Sequence, residues 1–290
     1  IDRSMLYMRV VLFTTLVNIP LNYVFMFGPL GLPAFGVEGA GLGTLAASML
    51  GVAYYFVLGT QHARGFGFLR VRPTVAQARL LLRLAIPGGL QQVLEMFALT
   101  LMYRIVGIVG TLELASYTVL VNLIGFVGLP AWGLGTAGAT LVGQALGKRD
   151  REDAAQWAWD VIKVGCSTIA VLGAPLWIAP DLVLSAFIHE QETIEMARLP
   201  CRILGLMIVF NGVGYMLASM LNGAGDVKRV MYVNLAMQYS VLLPGAYLLG
   251  PILGYGLLGI WTVHQFGFRG GQSVIFALMW RAGRWSRNAF

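Results

Sequence analysis

Eight apolar stretches, each near the length needed to cross a lipid bilayer as a helix, divide this chain from end to end. They lie at approximately residues 8–27, 37–59, 84–109, 114–142, 161–178, 199–221, 230–250 and 255–279. A spanning helix needs about 20 mostly apolar residues. Lipid offers no partner to a backbone amide, so only helices and closed barrels cross it. A barrel would show shorter segments of alternating character. The pattern therefore predicts an all-α membrane protein. Charged residues make up only 11% of the 290, against about 25% in an ordinary soluble domain. A chain so poor in charge cannot cover a water-facing surface.

The basic residues orient the segments. Arg64, Arg70, Arg72, Arg79 and Arg83 lie in the connection after the second segment. Lys148, Arg149 and Arg151 follow the fourth, and Lys228 and Arg229 follow the sixth. Arg3 and Arg9 lie near the start, and Arg281, Arg284 and Arg287 near the end. Fifteen of the twenty basic residues thus fall on one side, where the opposite connections hold little beyond Arg198 and Arg202. Positive residues stay on the cytoplasmic side, so both ends of this chain are expected there, in a plasma (inner) membrane. The net charge of +7 is then an orientation signal. A nucleic-acid partner would need its basic residues gathered on one soluble face, and none is expected.

Catalytic chemistry finds little support. Cys166 and Cys201 lack the spacing of metal ligands. The Gly-x-Gly run at Gly41–Gly43 sits inside an apolar segment, where it suits helix packing. No nucleophile, base and orienting group converge. Neither an enzyme nor a resident cofactor is expected.

The first and last helical pairs resemble each other. Val17, Asn18 and Tyr23 recur as Val233, Asn234 and Tyr239, an offset of 216. Gly36, Gly41 and Thr44 recur as Gly254, Gly259 and Thr262, an offset of 218. A two-residue insertion reconciles the offsets. If the third to eighth segments form one unit, the first two read as the end of an earlier, parallel unit. The chain, which begins at Ile1, is then expected to be the back part of something longer.

Four stretches carry a family resemblance. "VNIPLNYVFMFG" at residues 17–28 resembles the fifth helix of multidrug and toxic compound extrusion (MATE) transporters. Pro87 followed by Glu95 resembles the seventh-helix pattern of several branches. "GLPAWGLGTAGATLVGQALGKRDREDAA" at 128–155 resembles the end of a second-lobe helix with its loop. "LNGAGDVKRVMYVN" at 221–234 resembles the cytoplasmic turn after the tenth helix. The resemblance implies twelve helices in two six-helix lobes. Residues 1–60 would supply the last two helices of the N-lobe, 61–83 a basic cytoplasmic inter-lobe linker, and 84–290 a complete six-helix C-lobe.

Glu95 is the outlying residue. It falls eleven residues into its apolar segment, roughly 16 Å along a helix and near the centre of a ~30 Å core. An acid there costs about 2.5 to 3.5 kcal/mol to insert, so it must face the protein interior or a wet cavity. A site that holds either a proton or a metal cation can couple ion flow to a conformational change. Family resemblance adds a role in cation coupling or cationic-drug binding.

Gln91 lies one turn before Glu95 and is a candidate to orient it or to meet substrate. Asn211 occupies a position where several family members carry a second acid. It can coordinate Na⁺ but carry no proton. Tyr215, one turn later, is a candidate for the same ligand. Asn122, Gln238 and Tyr239 are further polar candidates for the cavity lining. His264 and Arg269 read as a polar feature of the last segment, or Arg269 as a snorkelling arginine. Arg104 falls on the face opposite Glu95. The expected activity is an antiporter driven by H⁺ or Na⁺, monomeric once complete. It would export small organic, cationic compounds by alternating access. A flippase for lipid-linked oligosaccharide or peptidoglycan precursor is the alternative, and a non-transporting scaffold a third.

Overall fold

The structure, a computed structural model, describes residues 4–29, 33–63, 65, 67–68, 74–283 and 285. Arg3, Arg64, Arg70, Arg72, Arg284 and Arg287, with much of the expected linker, lie outside the described residues. The described residues are mostly helical, with no strand among them. It divides into two compact units, residues 1–78 and 79–290.

The first unit is a pair of packed helices, α1 (Ser4–Phe27) and α2 (Gly36–His62). Gly39 lets α2 sit against the backbone of Phe25. The rings of Phe13 and Tyr54 meet with centroids 5.0 Å apart. Asn18 donates to Thr44 Oγ1 at 3.4 Å across the pair, and Asn22 donates to Asn18 Oδ1 at 3.0 Å.

The second unit takes up most of α3 (Val75–Val109), then α4 (Thr111–Gly147), α5 (Arg151–Ile178), the short α6 (Pro180–Ser185) and α7 (Gln191–Gly223). After α7 come α8 (Val227–Ile252) and α9 (residues 256–281). Among the described residues, seven helices, α1 to α5, α7 and α8, are long and apolar enough to cross a membrane. The protein is an integral membrane protein.

The eighth expected segment is helical as well, but its middle carries His264, Gln265, Arg269, Gln272 and Ser273. All but Arg269 are buried. This helix turns a polar face inward, which explains its lower apolarity.

Several boundaries differ from the apolar reading: α5 begins at Arg151 rather than near residue 161, and α7 at Gln191 rather than near residue 199. α3 begins at Val75 rather than near residue 84. Thr74 N–H donates to Gln77 Oε1 at 2.9 Å and Gln77 N–H to Thr74 Oγ1 at 3.3 Å. Such a reciprocal capping box starts a helix regardless of hydrophobicity. α4 ends at Gly147, but the left-handed residue is Arg149, φ 62°. There Asp150 N–H reaches the Ala145 carbonyl at 3.0 Å, a helix-ending turn that usually holds glycine. Asp150 also caps α5, accepting from Asp153 N–H at 3.0 Å.

Small residues set the helix spacing, as in other membrane bundles, where close backbone approach replaces the hydrophobic driving force. Gly223 of α7 touches the backbone of Ala139 in α4, and Gly165 of α5 faces Met216. Gly214 of α7 packs on Ser273 of α9, where an added Cβ would stand 2.8 Å from Ser273 Cα. Trp261, fully buried, donates its indole N–H to the Pro200 carbonyl at 2.8 Å and so pins α9 to α7.

Gly214→Val should force α7 and α9 apart, at an overpacking cost of about 1–3 kcal/mol. Thermal unfolding in detergent should show its Tm lowered by several degrees. Gly133→Ala, with nothing within 4 Å of its added Cβ, should leave the Tm unchanged or raise it.

Candidate functional site

A cavity of about 490 Å³ lies within the second unit, walled by α3, α4, α7, α8 and α9. Its size falls in the range of small-molecule pockets, about 300–1,000 Å³. Met96, Met102, Trp132, Phe268 and Phe276 give it apolar walls. Glu95, Gln91, Asn211, Tyr215, Gln238 and Arg269 are among its polar ones.

Glu95 is half-buried on α3, near the middle of that helix. Gln91 donates from Nε2 to Glu95 Oε1 at 2.8 Å, one turn away. That bond fixes one carboxylate oxygen. Arg104 lies on an exposed face of α3.

Arg269 lines the same cavity from α9, where the charge of Glu95 acts on it. The snorkelling reading of Arg269 is therefore corrected: its helix turns it inward. Its guanidinium lies over the Phe268 ring, 5.0 Å from the centroid. The ion pairs among the described residues are Lys163–Asp160, Arg198–Asp181 and Arg229–Asp226. Neither Glu95 nor Arg269 belongs to one.

Asn211 lines the cavity, donating from Nδ2 to Gln265 Oε1 at 2.7 Å. Its own Oδ1 is buried without a partner. Tyr215 lines the wall one turn later and is 37% exposed. Gln238 lines it from α8.

Two candidates fall elsewhere. Asn122 is exposed and outside the lining; Tyr117, Val121, Ile124 and Gly125 form the stripe that α4 contributes. At about 100° per residue, Asn122 sits a quarter-turn off that stripe. Tyr239 also lies outside the lining. Its hydroxyl donates to the Leu94 carbonyl at 2.9 Å, tying α8 to α3 beside Glu95.

Wide helical turns explain much of this placement. α8 is a π-helix over Gln238–Leu242 and again over Leu248–Ile252, and α9 over Val263–Gly270. In a π turn the repeat lengthens toward five residues. Residues 264, 269 and 273 then follow one face, and His264, Arg269 and Ser273 all line the cavity. The polar cluster at 264–273 was the signal for this wall, but ordinary helical spacing does not gather it on one face. His264 stacks on Trp261 at 5.3 Å, and Gln272 donates to Asn234 Oδ1 at 2.8 Å, joining α9 to α8.

The MatE family model matches residues 87–248, more than half of the chain and most of α3 through α8. The chain belongs to the MATE family. It is 24% identical to the probable multidrug resistance protein NorM of Thermotoga maritima, over 95% of this chain and 60% of that protein. It is 30% identical to a protein of the same name in Mesorhizobium japonicum, over 93% of this chain and 59% of that one. The chain thus spans about 60% of the length of these curated relatives. A MATE crystal structure in the straight conformation shares its fold at TM-score 0.82 and 20% identity. That match covers 97% of this chain and 62% of that one. An outward-facing multidrug resistance MATE family transporter matches at TM-score 0.81 and 20% identity, over 98% and 63%.

Tyr239→Phe should lower stability by about 1 kcal/mol, the net worth of one hydrogen bond. Asn122→Ala, on the exposed face, should stay within about 0.5 kcal/mol of the unsubstituted protein. Thermal unfolding of the two variants side by side checks both.

Proposed function

We propose that this chain works in an ion-coupled antiporter that exports cationic drugs or toxic organic compounds by alternating access. One observation carries the reading: the Glu95 carboxylate opens into an apolar-walled cavity inside a membrane-embedded MATE-family unit. An acid at that depth destabilises its helix unless a partner compensates it. A proton, a Na⁺ ion or a cationic substrate each does so, and a single carboxylate takes one of them at a time. Ion entry then displaces substrate, and the release changes which conformation is favoured.

The names of the relatives support drug export, and structures of similar fold are described as outward-facing, straight and bent. In this reading Gln91 orients the carboxylate, and Asn211, Tyr215 and Gln238 meet substrate or ion. Tyr239 positions α3 beside Glu95, and Asn122 takes no direct part. The basic ends, including Lys148, Arg149, Lys228 and Arg229, face the cytoplasm across a plasma (inner) membrane. The complete protein acts as a monomer. A flippase would want a groove rich in arginine; Arg269 is the one arginine among the described cavity residues, which favours export.

Glu95→Gln in the full-length product of the gene should cut ion-driven dye efflux by roughly tenfold or more at equal expression. Unchanged efflux would overturn the assignment. A Na⁺ gradient imposed at fixed pH identifies the coupling ion: efflux that follows it indicates Na⁺, and efflux that ignores it indicates H⁺.

A further inference from the structure

We propose that the cavity selects dipolar compounds, which bring a cationic group to Glu95 and an anionic group to Arg269 on one apolar frame. The inference deepens the export reading above and rests on it.

Glu95 and Arg269 enter the cavity from different helices, α3 and α9. Both line one cavity, yet no ion pair joins them among the described residues. The charges cancel in sum but not in contact. Charges away from water are costly until paired and hydrogen-bonded. A monocation that settles on Glu95 leaves Arg269 unanswered and adds a second positive charge beside it. A monoanion on Arg269 repeats the problem with the sign reversed. A ligand with both poles relieves both at once.

The local geometry suits that division. Gln91 holds Oε1 of Glu95 and leaves Oε2 for an incoming cation. Phe268 covers one face of the Arg269 guanidinium. No hydrogen bond engages its N–H edges among the described residues, and that planar fork matches carboxylate, sulfonate or phosphate oxygens in pairs. Elsewhere in the lining, Met96, Met102 and Phe276 offer adaptable apolar surface. The frame expected between the two charges is therefore flat and hydrophobic.

A matched dye pair tests this. Rhodamine B carries a delocalised cation and a free carboxylate; its ethyl ester keeps the cation and loses the anion. Binding to the full-length product in detergent is read by fluorescence polarisation, and ion-driven uptake separately in vesicles. The unsubstituted protein should bind rhodamine B about tenfold more tightly than the ester, a difference of about 1.4 kcal/mol. Arg269→Gln should bring the ratio close to one by weakening rhodamine B. Arg269→Lys, which keeps the charge, should retain most of the preference and shows that the loss is not misfolding. Equal or tighter binding of the ester, or a ratio unmoved by Arg269→Gln, would overturn the proposal. A preserved binding preference without ion-driven uptake would support the two-pole site and reject export instead.

Discussion

A charged group away from water must be answered by something, and much of the second unit is arranged around that demand. Glu95 sits midway along α3, where lipid cannot solvate it. The bundle answers with a hydrogen bond from Gln91, an arginine facing the same space, and a cavity large enough for a ligand. The hydroxyl of Tyr239 holds α8 against the backbone one residue before that carboxylate. Around this polar centre the packing is tight. Gly214 and Gly223 let α7 lie almost backbone to backbone against α9 and α4, and buried Trp261 locks α9 to α7.

The fold was largely legible because hydrophobicity over some twenty residues is a strong signal in a chain with so few charges. Seven of eight expected segments are helices apolar enough to cross a membrane, and the eighth is a helix with a polar inner face. The errors at helix ends were local. Thr74 and Gln77 start α3 through hydrogen bonds that hydropathy does not register. Arg149 takes a left-handed position, φ 62°, that glycine usually fills.

The site was legible in depth but less so in direction. Glu95, Gln91, Asn211, Tyr215 and Gln238 all reach one cavity. Asn122 and Tyr239 lie at suitable depth and face elsewhere, because depth along a helix says nothing about rotation around it. Arg269 stood out as a polar feature or a snorkelling arginine, but its direction was hidden for a related reason. Its place on the inner face depends on the π turn at Val263–Gly270, which no spacing rule for a regular helix anticipates. The hairpin resemblance fared better at one position. Asn18 bonds to α2 at 3.4 Å and Asn234 bonds to α9 at 2.8 Å, so each of these paired asparagines stitches its helix to the next.

The π turns carry one more consequence. Each accommodates extra backbone without breaking the helix, so the side chains beyond it are swung around the axis relative to those before. In α9 the wide stretch separates Trp261, anchored to α7, from Gln272 and Ser273 farther along. Excision of a single residue inside 263–270 would tighten the coil and re-aim everything downstream. A lesion that small would swivel the polar wall away while the span stayed helical, leaving a protein that inserts normally with its pocket repainted in hydrocarbon.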